Sequence, residues 1–304
     1  MRDGARNAAP PNSRTGSQAA GAARSLLRRQ DVARRGSFGP RIGTSPVGRR
    51  DLQPGLIDLM RLRLISCEIF CREICTAISR SPHTIDLEFL PKGLHDIGSA
   101  EMRERLQAAL DRVDEQRYKA ILLGYGLCNN GVAGLTARSI PIVLPRAHDC
   151  IALFFGSKER YRAYFDAHPG VFFKTTGWIE RGTDSGELSQ ISIQRRSGMD
   201  SSYEDLVARY GEENAKYLWE ELCNYSRHYR QLTFIEMGIE PNDSFERQTR
   251  EEASQRGWIF DKVQGDLSLI QRLVDGKWDD REFLVLEPGQ RVVARYDDDI
   301  IARE

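Results

Sequence analysis

The sequence predicts an α/β fold: a layered, Rossmann-like, mostly parallel sheet behind a disordered N-terminal extension. Short apolar runs alternate with segments of helical periodicity from Leu62 to Leu286. Runs such as Ala120–Leu123 and Ile140–Leu144 are apolar throughout, as strands covered on both faces are. Residues 1–58, by contrast, are rich in Arg, Gly, Ala, Ser and Pro, a composition that cannot bury enough surface to offset its ordering entropy. A closed barrel is the alternative, since about eight strands can be counted.

The folded part is expected to begin at Met60, which directly precedes the first convincing strand, Leu62–Ser66, and would make a natural start. Residues 1–58 then read as an extension rather than as a nucleic-acid tail or a transit peptide. Glu68–Ser79 reads as a helix and Thr84–Leu90 as a strand with alternation. Ser99 stands where an N-cap would, although Met102 replaces the Glu of a capping box. Met102, Leu106, Ala109, Leu110 and Val113 follow at helical spacing. A helix from Ser157 ends at Pro169-Gly170, and Val171–Lys174 is the fifth strand. The polar, glycine-rich stretch 180–202 reads as a long loop or boundary, giving a site-bearing domain at 60–180 and a second α/β half at 200–304. In that half Tyr203–Tyr229 is mostly helical. Strands are expected at Leu232–Met237, Trp258–Val263 and Phe283–Leu286, with helices at Ser244–Arg256 and Leu267–Val274.

Composition narrows the function. The 304 residues carry 44 basic and 44 acidic side chains, so no general field draws the chain to nucleic acid. No apolar run approaches the roughly 18 residues a membrane span needs, and no secretory signal is evident. Six cysteines outside a small secreted scaffold predict reduced thiols in a cytoplasmic protein. Thiols near a histidine then point to metal ligation or nucleophilic chemistry.

Ligands of open parallel sheets bind outside the carboxyl ends of the strands. Cys67 follows the first strand, Cys128 the third, and His148 and Cys150 the fourth. Thiolate and neutral imidazole are the usual ligands of zinc, and thiolates also hold iron–sulfur clusters. Cys67, Cys128, His148 and Cys150 are therefore the expected metal ligands, for zinc or for iron as an ion or a cluster. The alternative is that these are small buried core residues. Asp149 would orient His148 or a neighbour, and His95 could complete the site. Gly124, Tyr125, Gly126 and Arg146 are the expected contacts to a small-molecule ligand or cofactor. The glycines would let backbone approach it, and the guanidinium would hold an anionic group.

Other candidates read more plainly. Cys71 and Cys75 fall on one helical face and are expected in the core, with Glu73 in solvent; Glu68 lies close enough to the rim to act. Cys223 is expected to pack among Trp219, Leu222 and Tyr225. Glu236 and Glu287 are acid–base candidates without a supporting pattern.

Four motifs together, Ser66-Cys67-Glu68, Gly93-Leu94-His95, Gly124-Tyr125-Gly126-Leu127-Cys128 and Pro145-Arg-Ala-His148-Asp-Cys150-Ile151, resemble the domain of unknown function 1638 family of bacteria and archaea. The resemblance covers Leu62 to Trp178 well and the remainder less firmly. It implies a link to corrinoid and one-carbon methyl metabolism, and so a corrinoid or a methyltransferase as partner. Three functions follow as expectations: a transferase-like metalloenzyme, a non-catalytic accessory protein, or a metal-free thiol enzyme using Cys128 or Cys150 with His148 as base. The catalytic residues themselves are not legible.

Overall fold

The computed structural model describes residues 58–182, 186–223 and 228–304. The expected extension, up to residue 57, lies outside the described residues. The elements in chain order begin with β1 (Arg61–Cys67), α1 (Cys71–Arg80), β2 (Thr84–Leu90), α2 (Ser99–Asp111), β3 (Ala120–Gly124) and β4 (Ile142–Pro145). Next come α3 (Cys150–Phe155), α4 (Lys158–Ala167), β5 (Val171–Lys174), α5 (Thr176–Glu180), α6 (Ile193–Ser197), α7 (Tyr203–Tyr210) and α8 (Glu212–Leu218). The last are β6 (Gln231–Glu236), α9 (Ser244–Arg256), β7 (Ile259–Gln264), α10 (Ser268–Val274), β8 (Phe283–Leu286), β9 (Val292–Ala294) and β10 (Ile301–Arg303).

The main sheet is open, with strand order β2-β1-β3-β4-β8. β1, β2, β3 and β4 run parallel, and β8 closes the edge antiparallel to β4. β3 and β4 are buried along their whole length, as their unbroken apolar runs require. α1 packs against α10, and α10 lies over β3 and β4. This open order excludes the barrel.

A second parallel sheet, β5-β6-β7, holds the remaining long strands. The division expected near 180–202 does not separate the two sheets. β5 pairs forward with β6, while α10 and β8 return to the first sheet. The 180–202 stretch is only partly a loop, since Gly186–Ile191 forms a 3-10 turn and α6 follows it.

Two local expectations are corrected. α2 starts at Ser99 itself, with Gly98 as N-cap and no capping hydrogen bond from the serine. On α1 the buried residues are Glu73, Ile74 and Ala77, whereas Cys71 is half-buried and Cys75 exposed. Glu68–Phe70 forms a 3-10 turn before α1. Three residues at 3.0 rather than 3.6 per turn rotate the following face by roughly 60°. That rotation turns the thiols outward and a carboxylate inward.

Candidate functional site

The site is assembled where β1, β3 and β4 end. Ser66 pairs with Gly124 in the sheet, and its hydroxyl donates to the Gly124 carbonyl at 3.1 Å. This sets Cys67 level with Tyr125. Beyond β3 and β4 the chains stay joined: Leu127 N–H donates to Ala147 O (2.7 Å) and Cys128 N–H to His148 O (2.9 Å). Gly126 is required here, because a Cβ at that position would sit 2.9 Å from the backbone of Asp149. After Gly126 the chain enters the left-handed region at Cys128, Asn129 and Asn130, with φ of 43°, 56° and 61°. Asparagine tolerates this conformation, but at Cys128 it costs of order 1–2 kcal/mol, and such strain gathers at functional sites.

Asp149 adopts an extended conformation and N-caps α3, its Oδ1 accepting from Ile151 N–H (2.9 Å) and Ala152 N–H (3.3 Å). Its other oxygen accepts from the Tyr161 hydroxyl at 2.9 Å. Cys150 is thereby the first residue of a helix, buried beside the loop that carries Cys128.

His95 reaches the cluster from the other side. Cys67 is level with Leu90 on β2, and the 3-10 turn Lys92–His95 folds back over the sheet end. His95 Nε2 lies 3.3 Å from Cys67 Sγ. Glu68 holds that turn, accepting from Lys92 N–H at 2.8 Å. From the second sheet, α5 brings Trp178. Thr175 caps the helix, and Gly177 passes so close to Ile69 that a Cβ would fall 1.7 Å from its carbonyl oxygen. The Trp178 ring stands 6.0 Å from His95 and 4.8 Å beneath the Lys92 ammonium.

Cys128, Cys150 and His95 line a cavity of about 550 Å³, with Lys92, Trp178 and Phe172 among its walls. Cys67 lies beneath it, fully buried. Burial pushes the Cys67 thiol up to about 12, with the Glu68 carboxylate adding to the shift. Burial raises Cys128 and Cys150 further, and the thiols reinforce one another. Burial also lowers the His95 imidazole to about 4, aided by Lys92. At neutral pH the protein thus holds thiols and a neutral imidazole. Two buried donors face this cluster unsatisfied: the Tyr125 hydroxyl has no partner, and neither has the Trp178 indole N–H, which lies close enough to Cys150 to favour its thiolate. Among the described residues, no three His, Cys, Asp or Glu side chains are already arranged as a metal-holding group.

The structure thus brings Cys67, Cys128, Cys150 and His95 together and places His148 elsewhere. His148 is exposed and lines a separate cavity with Lys158, Arg162, Asp297 and Asp298. In a continuing strand, residues 148 and 150 would share a face. Here β4 ends at Pro145, and Asp149 caps the helix that Cys150 begins, so that alternation does not hold. Arg146 is likewise no anion-binding group. Its guanidinium is buried and donates to Asp280 O (2.8 Å), Asp299 O (3.3 Å) and Ile301 O, while facing Asp280 Oδ1 at 3.3 Å. Gly124 and Tyr125 are buried under the cavity rather than lining it. Cys223 ends a π-helical turn, half-buried, its thiol 3.5 Å from Gly198 O. Glu236 pairs with Lys262 at 3.1 Å, and Glu287 is exposed in the turn before β9. Lys92 and Trp178 were not singled out from the sequence. Trp178 carries a signal all the same, since Thr175-Thr-Gly-Trp follows a strand as the other site motifs do.

The molecule is an α/β protein with a thiol- and imidazole-lined cavity at the carboxyl ends of a mostly parallel sheet. It belongs to the family described as protein of unknown function (DUF1638), whose model matches residues 89–274. That segment contains His95, Cys128, Cys150 and Trp178, with Cys67 ahead of it. No curated protein matches the chain.

Proposed function

We propose that this protein binds a thiophilic metal ion, zinc or iron, with Cys67, Cys128 and Cys150 as sulfur ligands and His95 as the nitrogen donor. The convergence of Cys128, Cys150 and His95 on one cavity, with the Cys67 thiol beneath it against His95, carries this reading. The donor set fits such an ion, being soft sulfur with neutral imidazole. A bound cation would supply the positive charge that lets buried thiols give up their protons. It would also give the thiolates an acceptor role toward Tyr125 O–H and Trp178 N–H, the two donors now unsatisfied. The metal-free alternative needs a resting thiolate, and burial drives all three thiols the other way. The resemblance implies group transfer, with a corrinoid or a methyltransferase as partner, as the use of such a centre. The cavity above the cluster gives a small substrate access to it.

The test is elemental analysis of anaerobically purified protein and of its Cys67→Ser, Cys128→Ser, Cys150→Ser and Cys75→Ser variants. Near-stoichiometric zinc or iron, lost in the first three and kept in the fourth, is expected. Metal-free parent protein that also fails to take up zinc or ferrous iron on reconstitution would sink the reading.

A further inference from the structure

The cavity has walls of definite character beyond its thiols. Trp178, Phe172 and Phe165 supply apolar surface, and Phe172 and Phe165 stay more than a third exposed at its mouth. Its volume of about 550 Å³ lies in the range of small-molecule sites. Lys92, Lys174 and Asp149 are its chargeable lining residues besides His95, and two of them are engaged by neighbours. Lys174 pairs with Glu252 at 3.2 Å, and the Asp149 carboxylate is taken up by the start of α3 and by Tyr161. Lys92 is the third. Its ammonium rests over the Trp178 ring, and no carboxylate among the described residues lies within ion-pair range of it. Asp96 and Cys67 feel its charge from farther away. Glu68, which follows Cys67 in sequence, faces Arg181 at 3.7 Å and bonds the backbone rather than the ammonium of Lys92. A half-buried cation without a counterion, on an apolar wall, is a recognition element for an anion.

We infer that the cavity takes a small organic acid, its carboxylate paired with Lys92 and its apolar body against Trp178 and Phe172. This rests on the cavity being the functional site, as proposed above, and defines the substrate class of that site. The ring beneath the ammonium fixes the cation in place, so less is lost on pairing than with a free surface lysine. The same arrangement disfavours amines of like shape.

The experiment is calorimetric titration of the full chain, with its metal content measured in the same sample. Phenylacetate is the probe, with neutral phenylacetamide and cationic phenethylamine beside it, against the parent, Lys92→Met and Lys92→Arg proteins. Phenylacetate should bind the parent at least about tenfold more tightly than either analogue. Lys92→Met should lose that preference while keeping its weak affinity for phenylacetamide, and Lys92→Arg should restore most of it. Equal binding of the three probes, no binding of phenylacetate at millimolar concentration, or an unchanged preference in Lys92→Met would overturn the inference. Metal content reads the metal proposal separately, so a metal-loaded protein without anion preference fails only the inference drawn from Lys92.

Discussion

His95 Nε2 stands 3.3 Å from Cys67 Sγ, a contact made between two parallel neighbours, since β1 ends at the thiol and β2 runs on into the turn that returns the ring. It is a contact between neutral groups, an imidazole lowered to about 4 and a thiol raised to about 12, burial being the main cause of both. An ion pair here would require two charges in a site that penalises each.

The two histidines near the cluster are expected to behave differently. His95→Ala removes a proposed ligand and should weaken metal affinity by more than the roughly ten- to hundredfold that loss of a ligand's outer partner costs, and His148→Ala should leave it unchanged within experimental error. Competition with a chromophoric zinc chelator reads both. Equal losses would mean that the exposed His148 swings in to the cluster.

Arg146 should act on stability alone. Arg146→Met removes the donors to three carbonyls, those of Asp299 and Ile301, which fasten β10 and its approach to the end of β4, and that of Asp280 ahead of β8, at a cost of about 2–4 kcal/mol. Urea denaturation would show the loss. Hydrogen exchange should place it at Val292–Arg303, with zinc affinity retained. A stable variant with fast exchange confined to the cavity loops would contradict this assignment.

Glu73 predicts a pH dependence. Both its oxygens are buried without partners, and burial raises its carboxyl from 4.5 to about 7, with Glu240 adding to the shift and Arg72 opposing it. The neutral form is the one the fold accepts. Its contribution is complete below the unfolded value near 4.5 and declines as pH rises to about 7, a loss of roughly 3 kcal/mol by linkage. The Glu73→Gln protein should lack that decline. Denaturant midpoints at pH 5 and pH 8 would compare the two, and parallel curves would refute the assignment.

Thiol reactivity should follow exposure. Cys75 is exposed and Cys71 half-buried on α1, whereas Cys67, Cys128 and Cys150 are buried. A disulfide reagent should consume a fast fraction that shrinks in Cys75→Ser, with the three site thiols reacting only on unfolding. Cys75 is itself raised by partial burial, so the fast phase should quicken from pH 7 to pH 9. Rapid modification of Cys128 in the folded protein would argue for a thiolate already present there.

Much of the fold was legible because strand and helix periods are local properties. Thr84–Leu90, Val171–Lys174, Ser244–Arg256 and Phe283–Leu286 have the bounds their patterns predict. The partition into two sheets was not legible, because nothing in Val-Phe-Phe-Lys says which strand it will pair with. α3 escaped notice because Cys150–Phe155 is apolar all round and shows no helical period. The site was legible as strand ends bearing sulfur. The sequence sets His148 two residues from Cys150, whereas the structure puts His95 against Cys67 and His148 in another cavity, since β4 ends at Pro145 and Asp149 caps the helix that Cys150 begins. β9 and β10, three residues each, are too short to carry a pattern.

The edge position of β8 bears on how the molecule is made. Protein chains leave the ribosome N-terminus first, and domains fold as their parts emerge. β1 to β4 and every sulfur of the site are out long before Phe283–Leu286 can cover the free edge of β4. Arg146 must wait 155 residues for the carbonyl of Ile301. Through that interval the nascent chain carries an apolar strand edge with unpaired backbone groups, the usual template for wrong pairing. Slow translation between β4 and β8 would lengthen that exposure, and a chaperone that shields nascent strands would have its greatest effect there.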